Sequence, residues 1–338
     1  MVVRVVVVGG GVSGVGSALA ILQRLPSCNL TIIAEHFTPN TTGDGAAGFW
    51  EPHLTTGTPQ EKIIQWCQET WELFCSWWQY KQQMGVSFVY GETISQDPVP
   101  EKSWQHVPFA FHSLSHSECV KFGPQYQSGF SFGTVTAEPL KFLPVLLEEV
   151  RALGGSVKMC RLTSLAEAAA EADIVINCSG LGARKLVPDP EVYPCRGQVM
   201  RVRAPWVGRY LCDASKKSFA YIIPNLETVV LGGTNQDHDW RLEVDPTDSQ
   251  TIWDNCTALM PSLKKAEVIK EWVGLRPCRE SGVRLEADEL QVDSRIVPVV
   301  HNYGHGGSGV TLFWGCSKEV ADIACDLIHK HYGLPSRL

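Results

Sequence analysis

The chain has 338 residues, of which 44% are hydrophobic and 19% charged, and it carries a formal net charge of -7 at pH 7. That balance describes a folded protein large enough to bury a substantial core, and it excludes the charge-rich, apolar-poor make-up of disorder. It offers no broad basic footprint for nucleic acid, and no apolar run approaches the roughly 20 residues that a membrane span needs.

The first element is a valine strand at 5–8, interrupted before its start only by Arg4, so no secretory leader is expected ahead of the fold. It runs into Gly9-Gly10-Gly11-Val12-Ser13-Gly14 and then a helix-like stretch at 15–25. In that context Gly9 permits the tight turn, Gly11 lets the backbone approach a pyrophosphate, and Gly14 lets the helix pack on the strand. A second apolar run at 30–34 ends in Glu35, about twenty residues beyond the motif, where a carboxylate can accept a hydrogen bond from an adenosine ribose. No Arg follows Glu35 in sequence, which disfavours a 2′-phosphate.

A polar, tryptophan-rich stretch follows from about residue 55, with a helix predicted over 65–80 whose Trp66, Trp71, Trp77 and Trp78 read as packing. A helix at 140–153 stops at Gly154-Gly155, a short helix covers 166–172, and an apolar strand at 173–177 ends in Cys178-Ser179-Gly180. Small residues closing a buried parallel strand place this segment beside the first nucleotide unit. Between Arg196 and Arg279 the pattern turns strand-rich, with strands at 199–202, 220–223 and 228–231. After a strand at 297–300 comes a glycine-dense run, His301-Asn302-Tyr303-Gly304-His305-Gly306-Gly307-Ser308-Gly309-Val310-Thr311, leading into a helix to residue 331. Backbone N–H groups and the positive end of a helix dipole at Gly306, Gly307, Ser308, Gly309, Val310 and Thr311 suit an electron-rich group.

The predicted fold is α/β: a Rossmann-type FAD-binding domain, discontinuous over 1–55, 140–188 and 291–338, and a substrate-binding domain over 56–139 and 189–290 built on a mixed, largely antiparallel sheet. Two glycine-rich turns at opposite ends of one chain suit a large dinucleotide. The first takes the pyrophosphate, and the second faces the edge of a flavin ring where reduction accumulates negative charge, which favours FAD over NAD. The 12 cysteines stand singly, without CxxC pairs or zinc-like Cys/His spacing, and read as buried thiols of a reducing compartment.

The segments Phe37-Thr38-Pro39-Asn40-Thr41-Thr42, Ala46-Ala47-Gly48, Asn177-Cys178-Ser179-Gly180, Arg196-Gly197-Gln198, Ala204-Pro205-Trp206, Gly274-Leu275-Arg276-Pro277 and Tyr303-Gly304-His305-Gly306 occur in this order along essentially the whole chain. Together they resemble the D-amino-acid oxidase family, which includes D-aspartate oxidases. The resemblance implies that the α-hydrogen of a D-amino acid leaves as hydride to FAD, that the imino acid hydrolyses to a 2-oxo acid and ammonia, and that dioxygen restores the flavin with release of hydrogen peroxide. Such chemistry needs orientation more than a general base. By the same resemblance Arg276 is the fork for the substrate α-carboxylate, and Tyr221 is its hydroxyl partner. The backbone of Gly307, with Ser308, lies near the reacting amine. Thr41, Thr42, Gly43, Gly48, Phe49 and Glu51 line the cofactor, joined by His36, Leu162 and Ser179.

The substrate signals divide. His53 in Glu51-Pro52-His53 matches the acidic-substrate branch of the resembled family, whereas Asn235 stands where that branch is expected to carry a side-chain-binding Arg. Lys216 or Lys217, on the loop before Tyr221, could supply the missing charge, and the segment 212–219 is a candidate active-site lid. The expectation leans to D-aspartate and D-glutamate, with neutral D-amino acids as the alternative. A nicotinamide-dependent dehydrogenase or a non-catalytic flavin-binding protein would share parts of the pattern. The terminal Ser336-Arg337-Leu338 differs from the peroxisomal S-K-L signal only by Arg for Lys and implies a peroxisomal import receptor as partner. The sequence carries no signal of oligomeric state.

Overall fold

A computed structural model describes residues 2–332; the terminal Ser336-Arg337-Leu338 lies outside them. In chain order the elements begin with β1 (Arg4–Gly10), α1 (Val12–Arg24), β2 (Asn29–Phe37), α2 (Gln60–Tyr80), β3 (Val86–Ser95), β4 (Phe109–Ser113), α3 (His116–Cys119) and β5 (Ser128–Ala137). There follow α4 (Pro139–Ala152), β6 (Ser156–Met159), α5 (Leu165–Glu171), β7 (Ile174–Asn177), α6 (Ala183–Leu186), β8 (Val192–Arg203), β9 (Tyr210–Asp213) and β10 (Ala220–Pro224). The chain closes with β11 (Val229–Gly232), β12 (Gln236–Asp237), α7 (Pro246–Leu259), β13 (Glu267–Arg279), β14 (Arg284–Val292), β15 (Arg295–Tyr303) and α8 (Gly309–Tyr332).

One sheet has six strands in the order β14-β15-β7-β1-β2-β6, parallel throughout except for the β14–β15 hairpin at its edge. The valine run of β1 explains its central place, because a strand covered on both faces needs no polar side. Val5 and Val7 pack towards α1 and α8, while Val6 and Val8 pack towards Leu165, Ala168 and Ala169 of α5. Strand order reverses at β1: β2 lies on one side, β7 on the other. A crevice opens at such a switch point beyond the carboxyl ends of the strands.

The second sheet has nine strands in the order β12-β8-β11-β10-β9-β3-β5-β4, with β13 also pairing β8. Only β3 and β9 pair in parallel, so the sheet is mixed and largely antiparallel, as expected. The helix predicted at 65–80 begins earlier, at Gln60, because Pro59 fixes the turn before it and Gln60, Glu61 and Lys62 are good helix formers. Trp66, Trp71 and Trp77 are buried, Trp78 stays half-exposed against Phe88, and the Trp66 indole donates to Glu319 of α8 (2.7 Å). All twelve cysteines are free, seven buried and five partly buried. Among the described residues no helix is long and apolar enough to cross a membrane, and no His/Cys/Asp/Glu cluster could hold a metal ion.

Candidate functional site

A cavity of about 910 Å³ lies between the two sheets, with walls from both. At one end the turn after β1 supplies Gly9, Gly10, Gly11, Val12 and Ser13. Gly9 adopts φ +123°, and a Cβ there would run into the Cys178 carbonyl at the end of β7. Gly11 has nothing within 4 Å of its Cβ direction, so the backbone itself meets the cavity. Gly14 does not line it. A Cβ at Gly14 would strike the Gly9 carbonyl oxygen, so this glycine sets how closely α1 can approach the turn.

Glu35 and His36, at the end of β2, face the same end, as do Leu162 and Ser179. Arg161, from the loop after β6, reaches Glu35 at 3.7 Å. This cation is far from Glu35 in sequence and was not anticipated. Thr41, Thr42 and Gly43 line the cavity as well, their turn fixed by buried Asp44, which accepts from the Thr41 N–H and hydroxyl (both 2.7 Å) and from the Thr38 hydroxyl (2.6 Å).

From Gly48 the chain runs beside β5: Ala137 N–H donates to the Gly48 carbonyl (2.9 Å), Trp50 N–H donates to Val135 (3.0 Å), and Thr134 Oγ1 donates to the Trp50 carbonyl (2.9 Å). The two-residue period of an extended chain sends Phe49 and Glu51 to the cavity and buries Trp50 on the other side. The next turn packs on the start of α8. Ser308 Oγ accepts from the His53 N–H (2.6 Å) and donates to the His53 carbonyl (2.7 Å), and Thr311 Oγ1 donates to the Glu51 carbonyl (3.2 Å). Gly306, Gly307, Gly309, Val310 and Thr311 line the cavity; Ser308 is a staple behind it.

At the other end β13 presents Arg276, whose guanidinium lies flat against Gly197 of β8, where a Cβ would stand 2.6 Å from its Cζ and both terminal nitrogens. One of those nitrogens donates to the Thr234 carbonyl (2.9 Å), and Thr234 is in turn fixed by its hydroxyl accepting from the Gln198 N–H (2.9 Å). No carboxylate pairs with Arg276 among the described residues. Tyr221 of β10 lines the cavity with Arg276, whose charge acts on its phenol, and its ring packs on Gly232 and Gly233. Burial raises the phenol pKa, with Arg276 opposing, so Tyr221 keeps its proton.

His53 lines this end, with Asn235 acting on its ring. The open surface of its ring faces the cavity, and the protein around it lowers its pKa to about 4, through burial first and then through the Arg276 charge. His53 is therefore neutral near pH 7 and supplies no charge. Burial pushes the Glu51 carboxyl up to about 7, opposed by Lys102.

The structure therefore brings most of the anticipated residues to one cavity and leaves five outside its lining: Gly14 and Ser308 as supports, Asn235 behind His53, and Lys216 and Lys217. The two lysines are exposed on the turn after β9, where the Lys216 N–H donates to Asp97 (3.1 Å), so their side chains do not meet the cavity. Cys212, Ala214 and Phe219, from the proposed lid segment, do line it. Sequence reasoning missed Lys102 and Val99, from the loop between β3 and β4, and Trp272, whose indole is closely flanked by Gly45 and Gly274. Paired small residues at 45 and 274 are a signal for a wedged aromatic, but only once β13 is known to pass the 42–45 turn.

The model of the FAD dependent oxidoreductase family matches residues 4–323. The human D-aspartate oxidase is 40% identical over 330 residues, covering 96% of each chain. A D-amino acid oxidase of Dugesia ryukyuensis is 34% identical over 335 residues, covering 97% of this chain and 99% of its own. Among solved structures, glycine oxidase from Geobacillus kaustophilus superposes with a TM-score of 0.76 at 18% identity, covering 97% of this chain and 95% of its own. Glycine oxidase from Bacillus cereus ATCC 14579 gives 0.75 at 16%, covering 96% and 97%.

Proposed function

The chain belongs to the FAD-dependent oxidoreductase family, and from that premise we propose that it oxidatively deaminates D-amino acids, preferring those with acidic side chains, to 2-oxo acids, ammonia and hydrogen peroxide. The glycine turn after β1 and the α8 start fit FAD: Gly9 and Gly14 tolerate no side chain, and Gly11 leaves its backbone open to the cavity. Bound there, FAD supplies a two-electron oxidant for which no side chain could substitute.

The observation that carries the substrate reading is Arg276, a guanidinium facing a cavity with no carboxylate of the described chain to neutralise it. A fork held flat on Gly197 and tied to the Thr234 carbonyl keeps donors for a carboxylate, and bidentate binding fixes orientation as well as affinity. The protonated Tyr221 hydroxyl beside it donates to the same group. Phe219 and Ile223 on the cavity wall limit water around the reacting carbon. Gly307 leaves room next to His53, since a Cβ there would stand 2.7 Å from the His53 ring.

The acidic preference is supported by the 40% identity to a relative named D-aspartate oxidase. The competing reading, neutral D-amino acids, is favoured by the absence of charge on His53 and Asn235. We assign Ser336-Arg337-Leu338 as a peroxisomal import signal; deleting the three residues should leave a fluorescent fusion in the cytosol. The deciding assay is peroxide release with D-aspartate, D-glutamate, D-alanine and their L-forms. We expect turnover of D-forms only, fastest with D-aspartate; turnover of L-forms, or none at all with flavin bound, overturns the reading.

A further inference from the structure

Four lysine or arginine side chains line the cavity among the described residues: Lys102, Arg161, Lys185 and Arg276. Arg161 pairs with Glu35 at the end of β2, and Lys185 stands on α6 just after the Ser179-Gly180 turn, so both belong to the end near the first glycine motif. Only Lys102 shares the Arg276 end. Its ammonium lies 5.4 Å from the centroid of the buried Phe130 ring and has no carboxylate within ion-pair distance among the described residues. Its charge acts on both Glu51 and His53, and the Arg276 charge acts on the same His53 ring. Both charges therefore act on His53, and all three residues line one cavity.

Resting on the acidic-substrate reading above, we propose that Lys102 is the second cation of the substrate site, receiving the side-chain carboxylate of an acidic D-amino acid whose α-carboxylate is held by Arg276, and that Glu51 is an internal carboxylate competing for the same ammonium. A lysine suits this task because its flexible stem lets one ammonium follow carboxylates at different reach, as in aspartate and glutamate. Phe130 supports the ammonium while the site is free.

Glu51 makes the arrangement sensitive to pH. The titratable groups linked to it by charge are Lys102 and, from β9, Tyr210 and Cys212, while His53 lines the same cavity. His53 is neutral above about 4, and burial keeps Tyr210 and Cys212 protonated, so near neutrality the group among these that changes charge is Glu51 itself, at about 7. Below that value a neutral Glu51 leaves Lys102 to the substrate. Above it an ionised Glu51 draws on the Lys102 charge across the cavity and repels a second carboxylate.

The experiment uses the flavin-loaded enzyme and its Lys102→Met, Lys102→Arg and Glu51→Gln variants, with KM for D-aspartate and D-alanine on either side of pH 7 and calorimetric binding of malonate against acetate. We expect Lys102→Met to raise KM for D-aspartate at least about tenfold more than for D-alanine, and to weaken malonate but not acetate. Lys102→Arg should largely restore both, which separates lost charge from a disturbed loop. Wild-type KM for D-aspartate should climb above pH 7, and Glu51→Gln should flatten that climb. Equal effects of Lys102→Met on both amino acids, or a D-aspartate preference that survives it, overturn the assignment and leave the substrate reading intact. A wild-type enzyme that does not favour D-aspartate over D-alanine overturns both.

Discussion

The clamp role proposed for Arg276 requires its guanidinium to stay flat, and Gly197 is the residue it lies against. An added methyl at Gly197 meets the far end of a flexible side chain and not backbone, so Gly197→Ala should fold with its melting temperature nearly unchanged yet raise KM for every D-amino acid by about tenfold, roughly 1.4 kcal/mol. Steady-state kinetics beside thermal unfolding would check it. Arg276→Lys keeps the charge but loses the fork, and kcat/KM should fall by about a hundredfold. A second residue-scale expectation concerns His305, which is buried with Nε2 unpartnered and whose pKa burial lowers from 6.5 to about 4. The unfolded chain takes up that proton first, so the stability tied to neutral His305 is present above 6.5 and is lost as pH falls towards 4. The loss amounts to about 3 kcal/mol. Replacing His305 with Gln should make the acid limb of a melting-temperature profile shallower; an unchanged limb would assign it to other groups.

At the scale of elements, what the sequence made legible is what is local. The β1 valines, the glycines after them and α1 specify one another within a few residues, and the structure repeats that reading down to the fit of Gly14 on Gly9. Gly14→Ala should therefore cost about 3 kcal/mol or more, since backbone and not a mobile side chain stands in the way. Loss of flavin content on purification and a lowered unfolding midpoint are the measurements. Arg276 was legible because its segment is compact and distinctive. Lys102 was not: a single lysine in a loop carries no marker, and it reaches the cavity only because β3 and β5 pair over their full length and hold the intervening loop over Phe130. Lys216 and Lys217 misled because nearness to Tyr221 in sequence says nothing about which side of a turn faces inward. Arg161 escaped for a related reason, being brought to Glu35 by the parallel pairing of β2 with β6.

At the scale of the molecule, the cavity joins two sheets that otherwise have separate strand orders. A dinucleotide lying between them contacts both, so it should stabilise the whole chain, by about 2.7 kcal/mol when FAD is at a hundred times its dissociation constant. The melting temperature should rise with FAD concentration as a single transition. Two transitions, of which only one responds, would mean that the sheets unfold independently.

The six-stranded sheet also has a history written into it. Its central strand is made first, while β15 and the α8 glycines that complete the same ligand cradle are made last. A ribosome therefore holds β1 without its β7 flank until residues 174–177 are made and without β15 until residues 295–303 are made, and the prosthetic group can be captured only after the start of α8 has emerged. Stalled nascent chains ending before residue 300 should retain no flavin, and synthesis under riboflavin starvation should yield apoprotein that accepts the group afterwards.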